Sequence, residues 1–570
     1  MANLPLRKLG EVGVVTDANP YDLPGNAFSN CNNVIFDEDR VQRSPVFKQL
    51  FNSIRSALSY DASSPLTYDA ATTSYESAEG SPTTNVRFVA SYQDPSTGEI
   101  VLICDRDGTV RTYPNGQLQF ATPGSATLVT NDEPWSHAQI AGKSFLARKG
   151  MTPYVRWISE ETEYGYLVGD WPTGDEATVV RGFLDYAILL GTVKDGVEYP
   201  TMVKWSNPIG YADAPSDINW DPSNPNFVAG ENVLGDLRTP IRDGLQLGNV
   251  FVIYAQDQVW LMEYTGSSFV FNFRRLFPTG GIINTNCVVE VEGKHYVFGE
   301  NDIYVHDGNS KRSIADGRVR RKIYQTIDRS SQKAFFVLHD SVSSLIYFCY
   351  KTKLDEISYR DTQFCNRAAV YNYMEDTWSF MDLPNIVGGA ETNISLVQNL
   401  YSQLNESYEL FNTNYVSFEG ATPKLAIMLG ATDTNNGLTE SRVYAIDLPT
   451  AGLVNLPIEI ETLKESWVER IGIDLDETGA GLRNYKIITA IVPQASFDAS
   501  DSKFTWQVGS SDLPNGSVTY YSTQDYFPER DYQLQMKVAG RYLAYRIGTE
   551  DIENFKISGF DAEVKEISRR

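Results

Sequence analysis

The sequence predicts an all-β fold: a drifted β-propeller of about six or seven blades, followed by a separate, sandwich-like β-domain. Glycine-led strand pairs recur through the middle of the chain, their starts fall one blade apart, and the composition favours short strands joined by tight turns.

The repeated unit is an apolar strand, a polar turn and a second strand carrying an aromatic residue. It reads Gly98-Glu-Ile-Val-Leu-Ile-Cys104 then Asp107 to Tyr113, and Gly142 to Ala147 then Tyr154-Val-Arg-Trp157. Further on come Gly248 to Tyr254 with Asp257 to Met262, and Gly293-Lys-His-Tyr-Val-Phe298 with Asp302-Ile-Tyr-Val-His306. The starts at 98 and 142 lie 44 residues apart and those at 248 and 293 lie 45 apart, the length of a four-stranded blade. Looser copies fill the gaps: Phe183 to Thr192 with Thr201 to Trp205, Leu345 to Cys349 with Ala369 to Trp378, and Lys424 to Leu429 with Arg442 to Ile446.

At 570 residues the chain exceeds one hydrophobic core and divides into two or more units. Aromatics at 12%, with 33 Tyr, 42 Gly and 26 Pro, suit pleated faces filled by rings and turns set by Gly and Pro. With 48 basic against 73 acidic residues the net charge is −25, which opposes tight non-specific binding to nucleic acid or anionic lipid. Cys31, Cys104, Cys287, Cys349 and Cys365 form no CxxC pair, and reduced thiols are expected, with assembly in a cytosol. Neither a secretory signal nor an apolar run of membrane-spanning length is evident, so a soluble chain is expected.

The expected organisation is a loop-rich N-terminal segment 1–50, a Ser/Thr/Tyr-rich insertion over 51–85, a propeller over 86–455 and a C-terminal β-domain over 456–570. Loop excursions are expected near 207–226 and 392–422. The last segment has longer strand-like runs, among them Tyr485-Lys-Ile-Ile-Thr-Ala-Ile-Val492 and Tyr542-Leu-Ala-Tyr-Arg-Ile547, which suit a sandwich.

Signatures of common catalysis are missing: no GxSxG, Walker-type GxxxxGK, GxGxxG or HExxH occurs, so no catalytic residue, cofactor or metal is assigned. His137, His295, His306 and His339 are scattered and read as packed or surface strand residues. Asp105-Arg-Asp107-Gly108 reads as a hairpin turn. Asp474-Leu-Asp476-Glu-Thr-Gly479 starts like a calcium loop but lacks the closing bidentate Glu, and ordinary turn chemistry accounts for it. Against the acidic background, Lys311, Arg312, Arg318, Arg320, Arg321 and Lys322 fall within twelve residues whose single acid is Asp316. Such a run either faces water or docks an acidic neighbour, such as another copy of the chain.

Near the N-terminus stand Leu23-Pro-Gly25, Asn33-Val-Ile-Phe36 and Arg40-Val-Gln-Arg43-Ser-Pro-Val-Phe-Lys-Gln-Leu50. Near the C-terminus stand Arg541-Tyr-Leu-Ala-Tyr-Arg546 and Phe555-Lys-Ile-Ser-Gly559-Phe-Asp-Ala-Glu-Val564. Together these resemble the tail nozzle proteins of short-tailed (podovirus) phages, the family also called tail tubular protein B or packaged-DNA stabilisation protein. Asp39, Ser44 and Val46 depart from that pattern, standing where a turn glycine, an arginine and a glycine are usual. The resemblance implies a β-sandwich-like platform built from the two chain ends and a homo-hexameric tube in the virion tail. It also implies a place below the head–tail adaptor protein, contact with tail fibre or spike proteins, and genomic DNA passing through without specific binding. A non-enzymatic structural role is expected. The rival reading is a carbohydrate-binding or carbohydrate-cleaving propeller, whose sugar-stacking rings would be Trp157, Trp205, Trp260 and Trp378.

Overall fold

In a computed structural model, residues 2–49, 86–95, 98–113, 119–123, 129–266, 269–354, 363–394, 424–433, 440–446, 465–474, 484–513 and 516–567 are described. The 51–85 insertion and most of the 392–422 excursion lie outside them. The fold is all-β and propeller-like, and the chain divides into two compact units.

The unit of Phe47–Asp236 and Asn385–Ile460 is made of four-stranded antiparallel meanders, the topology of propeller blades. Three follow in sequence. They are Val86–Asp94, Gly98–Asp105, Val110–Tyr113, Gln119–Phe120; then Trp135–Ile140, Lys143–Arg148, Tyr154–Trp157, Gly165–Tyr166; then Glu176–Phe183, Tyr186–Lys194, Val197–Trp205, Gly230–Val233. A fourth uses the second half of the strand Thr377–Ile394, then Lys424–Asp433, Glu440–Ile446 and, from far upstream, Phe47–Gln49. That last strand places the expected N-terminal segment's final residues in this unit.

In four of the meanders the glycine-led hairpin read from the sequence supplies the two middle strands, and in the other three the looser copies overlap them. Several of these, such as Lys143–Arg148, Val250–Ala255 and Leu345–Tyr350, are buried along nearly their whole length, whereas the first strand carries polar groups toward its neighbour. Those groups bond the neighbouring blade. Ser136 Oγ accepts from Val180 N at 2.9 Å, Arg181 donates to His137 O at 3.1 Å, and Gln139 exchanges two bonds with the backbone of Gln93 at 3.0 and 2.6 Å.

The expected excursion at 207–226 is anchored rather than loose. Asp170 accepts from Trp220 N and Asp221 N at 2.7 and 2.9 Å, and Trp220 is fully buried edge-on against Trp171 at 5.4 Å.

The other unit, Met1–Val46, Leu237–Pro384 and Glu461–Arg570, has three such meanders and a sandwich. Its blades are Ile241–Leu247, Val250–Ala255, Val259–Tyr264, Phe271–Phe277; Val288–Val291, Lys294–Phe298, Ile303–His306, Lys311–Ser313; and Phe336–Asp340, Leu345–Tyr350, Cys365–Asn372 with the first half of Thr377–Ile394. Cross-blade bonds recur here: Asp243 accepts from Asn286 N at 2.7 Å and Thr285 donates to Arg242 O at 2.8 Å.

Both chain ends build the sandwich. One sheet runs Val538–Gly540, Tyr485–Phe497, Phe555–Ile567, Arg40–Arg43, Val34–Asp37, with Ala2–Arg7 also on Phe555–Ile567. The facing sheet runs Thr519–Tyr526, Phe504–Ser511, Tyr542–Thr549, Ser466–Ile473, Asn30–Asn32. Between them, Phe560 packs edge-on against Trp506 at 5.2 Å and Tyr545 at 4.9 Å.

Asp39, where a turn glycine was the expected pattern, has φ 59, and Glu38 has φ 49. This two-residue hairpin needs left-handed backbone at both positions, which Asp tolerates better than most residues.

A buried polar knot ties the N-terminal segment to the last blade of this unit. Asn33 is fully buried with φ 54; its N–H donates to Phe380 O at 2.8 Å and its Oδ1 accepts from Asp382 N at 2.8 Å. The Asp382 carboxylate, also fully buried, accepts from Arg367 at 3.1 Å and Asn32 at 2.9 Å.

Ser136→Ala is expected to lower stability by about 1–3 kcal/mol, since Val180 N–H then loses its buried acceptor. Denaturant midpoints and faster hydrogen exchange at the Val180 amide would check it.

Candidate functional site

The six clustered cations fall on the outer strand Lys311–Ser313, the turn after it, and the helix Arg320–Thr326. The structure uses several of them internally. Lys311 donates to Thr279 O at 2.8 Å and lies over the rings of Tyr304 at 5.1 Å and Phe277 at 5.6 Å; its partial burial lowers its pKa. Arg318 grips Asp376, with one bond at 2.8 Å, while its own carbonyl accepts from Thr16 N and Asp17 N at 2.7 and 2.9 Å. Lys322 reaches Asn30 Oδ1 and sits 4.9 Å from the centre of the Phe380 ring.

The helix has no side-chain cap from Val319. Asp17 supplies one from the N-terminal segment, accepting from Arg321 N at 2.8 Å and Lys322 N at 3.4 Å, and its negative charge suits the partial positive charge there. The basic run is therefore partly a clamp for residues 16–30. Arg312, Arg320 and Arg321 remain exposed, Arg320 in an ion pair with Asp316 at 2.7 Å. These three form what a partner could meet.

Other candidates resolve into local structure. Asp105 is buried against Arg111, and Asp107 Oδ1 accepts from Thr109 N at 2.8 Å, closing the hairpin turn. Trp205, Trp260 and Trp378 are buried, and the indole N–H of Trp378 donates to Ile314 O at 2.9 Å. Trp157 is half-buried with Lys143 Nζ 5.2 Å from its ring centre. The cysteines are unpaired and buried. Among the described residues no group of three or more His, Cys, Asp or Glu side chains converges as a metal site, and Asp476 with its following turn lies outside those residues.

A cluster that the sequence reading passed over joins two of its scattered histidines. His295 and His306 are direct partners across the hairpin, and both face the hydroxyl of Tyr254 from the preceding blade, at 2.8 Å from His295 Nδ1 and 2.6 Å from His306 Nε2. His295 Nε2 donates to Gln246 O at 2.9 Å and His306 Nδ1 accepts from Gly308 N at 3.2 Å. These outer bonds set the tautomers: Tyr254 donates to His295 and accepts from His306, and both rings are neutral. Burial is the main cause that lowers their pKa values, to about 4 for His295 and about 3 for His306. The signal was present, because the two lie symmetrically about the turn at Glu300 and Asn301 in a hairpin already legible.

A histidine whose folded pKa lies below its unfolded 6.5 contributes stability that is complete above that value and is lost as pH falls toward the folded value. For His295 this is about 3 kcal/mol. The melting temperature is expected to fall steeply from pH 6.5 to 4, and His295→Gln, which can still accept from Tyr254, should flatten that fall. Thermal scans across this range would check it; an unchanged slope in the variant would count against the cluster's role.

No family model matches the chain, and no curated protein matches it. Among solved structures, the crystal structure of the computationally designed Ika8 protein is 11% identical with a TM-score of 0.33, over 64% of this chain and 98% of that one. The WD40 β-propeller domain of Doa1 is 12% identical with a TM-score of 0.33, over 63% of this chain and 93% of that one.

Proposed function

We propose that this chain is a structural component of a phage tail: a nozzle in which six copies surround a conduit below the head–tail adaptor, retaining the packaged genome and letting it leave. One observation carries the reading. Two of the end segments that resemble the nozzle family are register partners in one sandwich, with Gln42 opposite Lys556 and Val41 opposite Ile557. A platform built from both ends is what that family's pattern implies.

The charge supports the same reading. A conduit must not hold the polymer it passes, and a chain with net charge −25 raises the energy of phosphate near it rather than releasing counterions to bind it. At physiological salt this repulsion reaches about 8 Å, so it acts only where walls follow the polymer closely. In this reading the chain assembles in the host cytoplasm, resides in the virion tail and also meets fibre or spike proteins. Arg312, Arg320 and Arg321 are the residues proposed to meet an acidic neighbour.

Native mass measurement and electron microscopy of the purified chain, alone and with its adaptor, test the reading. A six-membered ring with carboxylates along its bore is expected; a stable monomer in both samples, or a bore lined with lysine and arginine, removes it. In the same assay Arg320→Glu with Arg321→Glu is expected to weaken assembly at least tenfold while the melting temperature changes little. Unchanged assembly would take these residues out of the contact.

A further inference from the structure

The hydroxyl of Tyr254, in the 241–277 blade, sits between two rings of the 288–313 blade, 2.8 Å from His295 Nδ1 and 2.6 Å from His306 Nε2. The network continues outward at both ends, to Gln246 O at 2.9 Å through His295 and to Gly308 N at 3.2 Å through His306. Every ring nitrogen is engaged, one donating and one accepting in each histidine. A further proton has nothing to bond. On His295 Nδ1 it points at the O–H of Tyr254, and on His306 Nδ1 it points at the N–H of Gly308. Both charges at once would stand in rings whose centres are 5.3 Å apart.

The same rings hold the two blades together. Tyr254 and Gln246 bond to them, and Phe277 packs edge-on against His306 at 5.4 Å. Asp243 with Asn286 N, Arg242 O with Thr285, and Thr279 O with Lys311 complete the seam at 2.7, 2.8 and 2.8 Å. Seams in the other unit run through Ser136, Arg181 and Gln139, none of which titrates near neutral pH. Its buried His137 bonds Ser144 of its own blade at 2.9 Å, and that hydroxyl rotates freely to accept or donate.

We propose that the His295–Tyr254–His306 set is an acid-operated joint, in which proton uptake by the two rings parts the 241–277 blade from the 288–313 blade while the other unit's seams stay closed. This localises the acid response to one seam, and it does not depend on how copies of the chain assemble. In the closed joint burial outweighs every other influence and holds the rings neutral, with pKa values of about 4 for His295 and about 3 for His306. Glu290 and Asp243 favour charge on His295; His295 and Lys311 oppose charge on His306, and Asp307 favours it. Water entering the open joint restores the ordinary value of about 6.5. Below that pH the open form binds two protons that the closed form lacks. Its population therefore rises about a hundredfold per pH unit until the closed form itself titrates.

Hydrogen exchange on the full chain, expressed as protection factors to remove the intrinsic pH dependence of exchange, tests the joint. Between about pH 6.5 and 5, peptides covering residues 243–255 and 286–308 are expected to lose protection at least tenfold, while those covering 136–148 and 176–190 hold theirs. His295→Gln still accepts from Tyr254 and removes one titrating ring, so its loss of protection should shallow to about tenfold per pH unit. The wild-type comparison between units stands alone if that variant folds poorly. Equal loss in both units, unchanged protection at the seam, or an undiminished slope in a folded variant would each overturn the proposal. A six-membered ring whose seam stays closed in acid removes the joint and leaves the conduit, while a monomer whose seam opens does the reverse.

Discussion

Side chains at the inner edge of one blade closing the backbone of its neighbour is the interaction on which the blades depend. A first strand is paired on one side only, and its other edge would leave buried N–H and C=O groups unmet, at about 1–3 kcal/mol each. Ser136 meets Val180 N, Arg181 meets His137 O, Asp243 meets Asn286 N and Thr285 meets Arg242 O. Partners lie 43 or 44 residues apart in all four, so the sequence period is the spacing of a physical bond. A blade shortened or lengthened by a few residues would put a polar side chain opposite the wrong backbone group.

The chain ends are held by a different device. Bringing residues 2–7 and 40–43 onto strand 555–567 closes a very long loop, whose entropic cost grows only slowly with length and is offset by the aromatic core of the sandwich and the knot around Asp382. That knot fixes geometry more than it stabilises. Arg367 and Asn32 donate to one buried carboxylate while Asn33 accepts from the same residue's backbone N–H, and removal of a single member would strand the others. The basic run shows the same economy: Arg318 and Lys322 serve residues 16–30, and Asp17 returns the favour at a helix that lacks its own cap.

Polar contacts therefore decide alignment in this protein, while apolar strands decide that there are sheets at all. Cys104, Cys287, Cys349 and Cys365 behave as small buried hydrophobes, their thiols pushed up by burial. The His295–Tyr254–His306 set lies between these roles, since three polar rings pack as core residues while they satisfy one another's hydrogen bonds.

The sequence by itself determined the all-β class, the blade period and the central hairpin of four meanders, because middle strands such as Gly98–Asp105 and Val250–Ala255 are largely buried and leave apolar runs between turn residues. It also showed the six cations and both end motifs as patterns. Only the tertiary structure decided which strand closes a blade: Phe47–Gln49 joins Glu440–Ile446 across nearly 400 residues of chain, and nothing local in Phe47-Lys-Gln49 specifies that partner. Only it decided that Lys311, Arg318 and Lys322 have internal partners while Arg312 and Arg321 stay exposed, since a run of like charges looks the same in sequence whatever lies opposite. The reason is common to both: turn and strand propensities act over a few residues, whereas pairing of edges and charges depends on what the rest of the chain brings alongside.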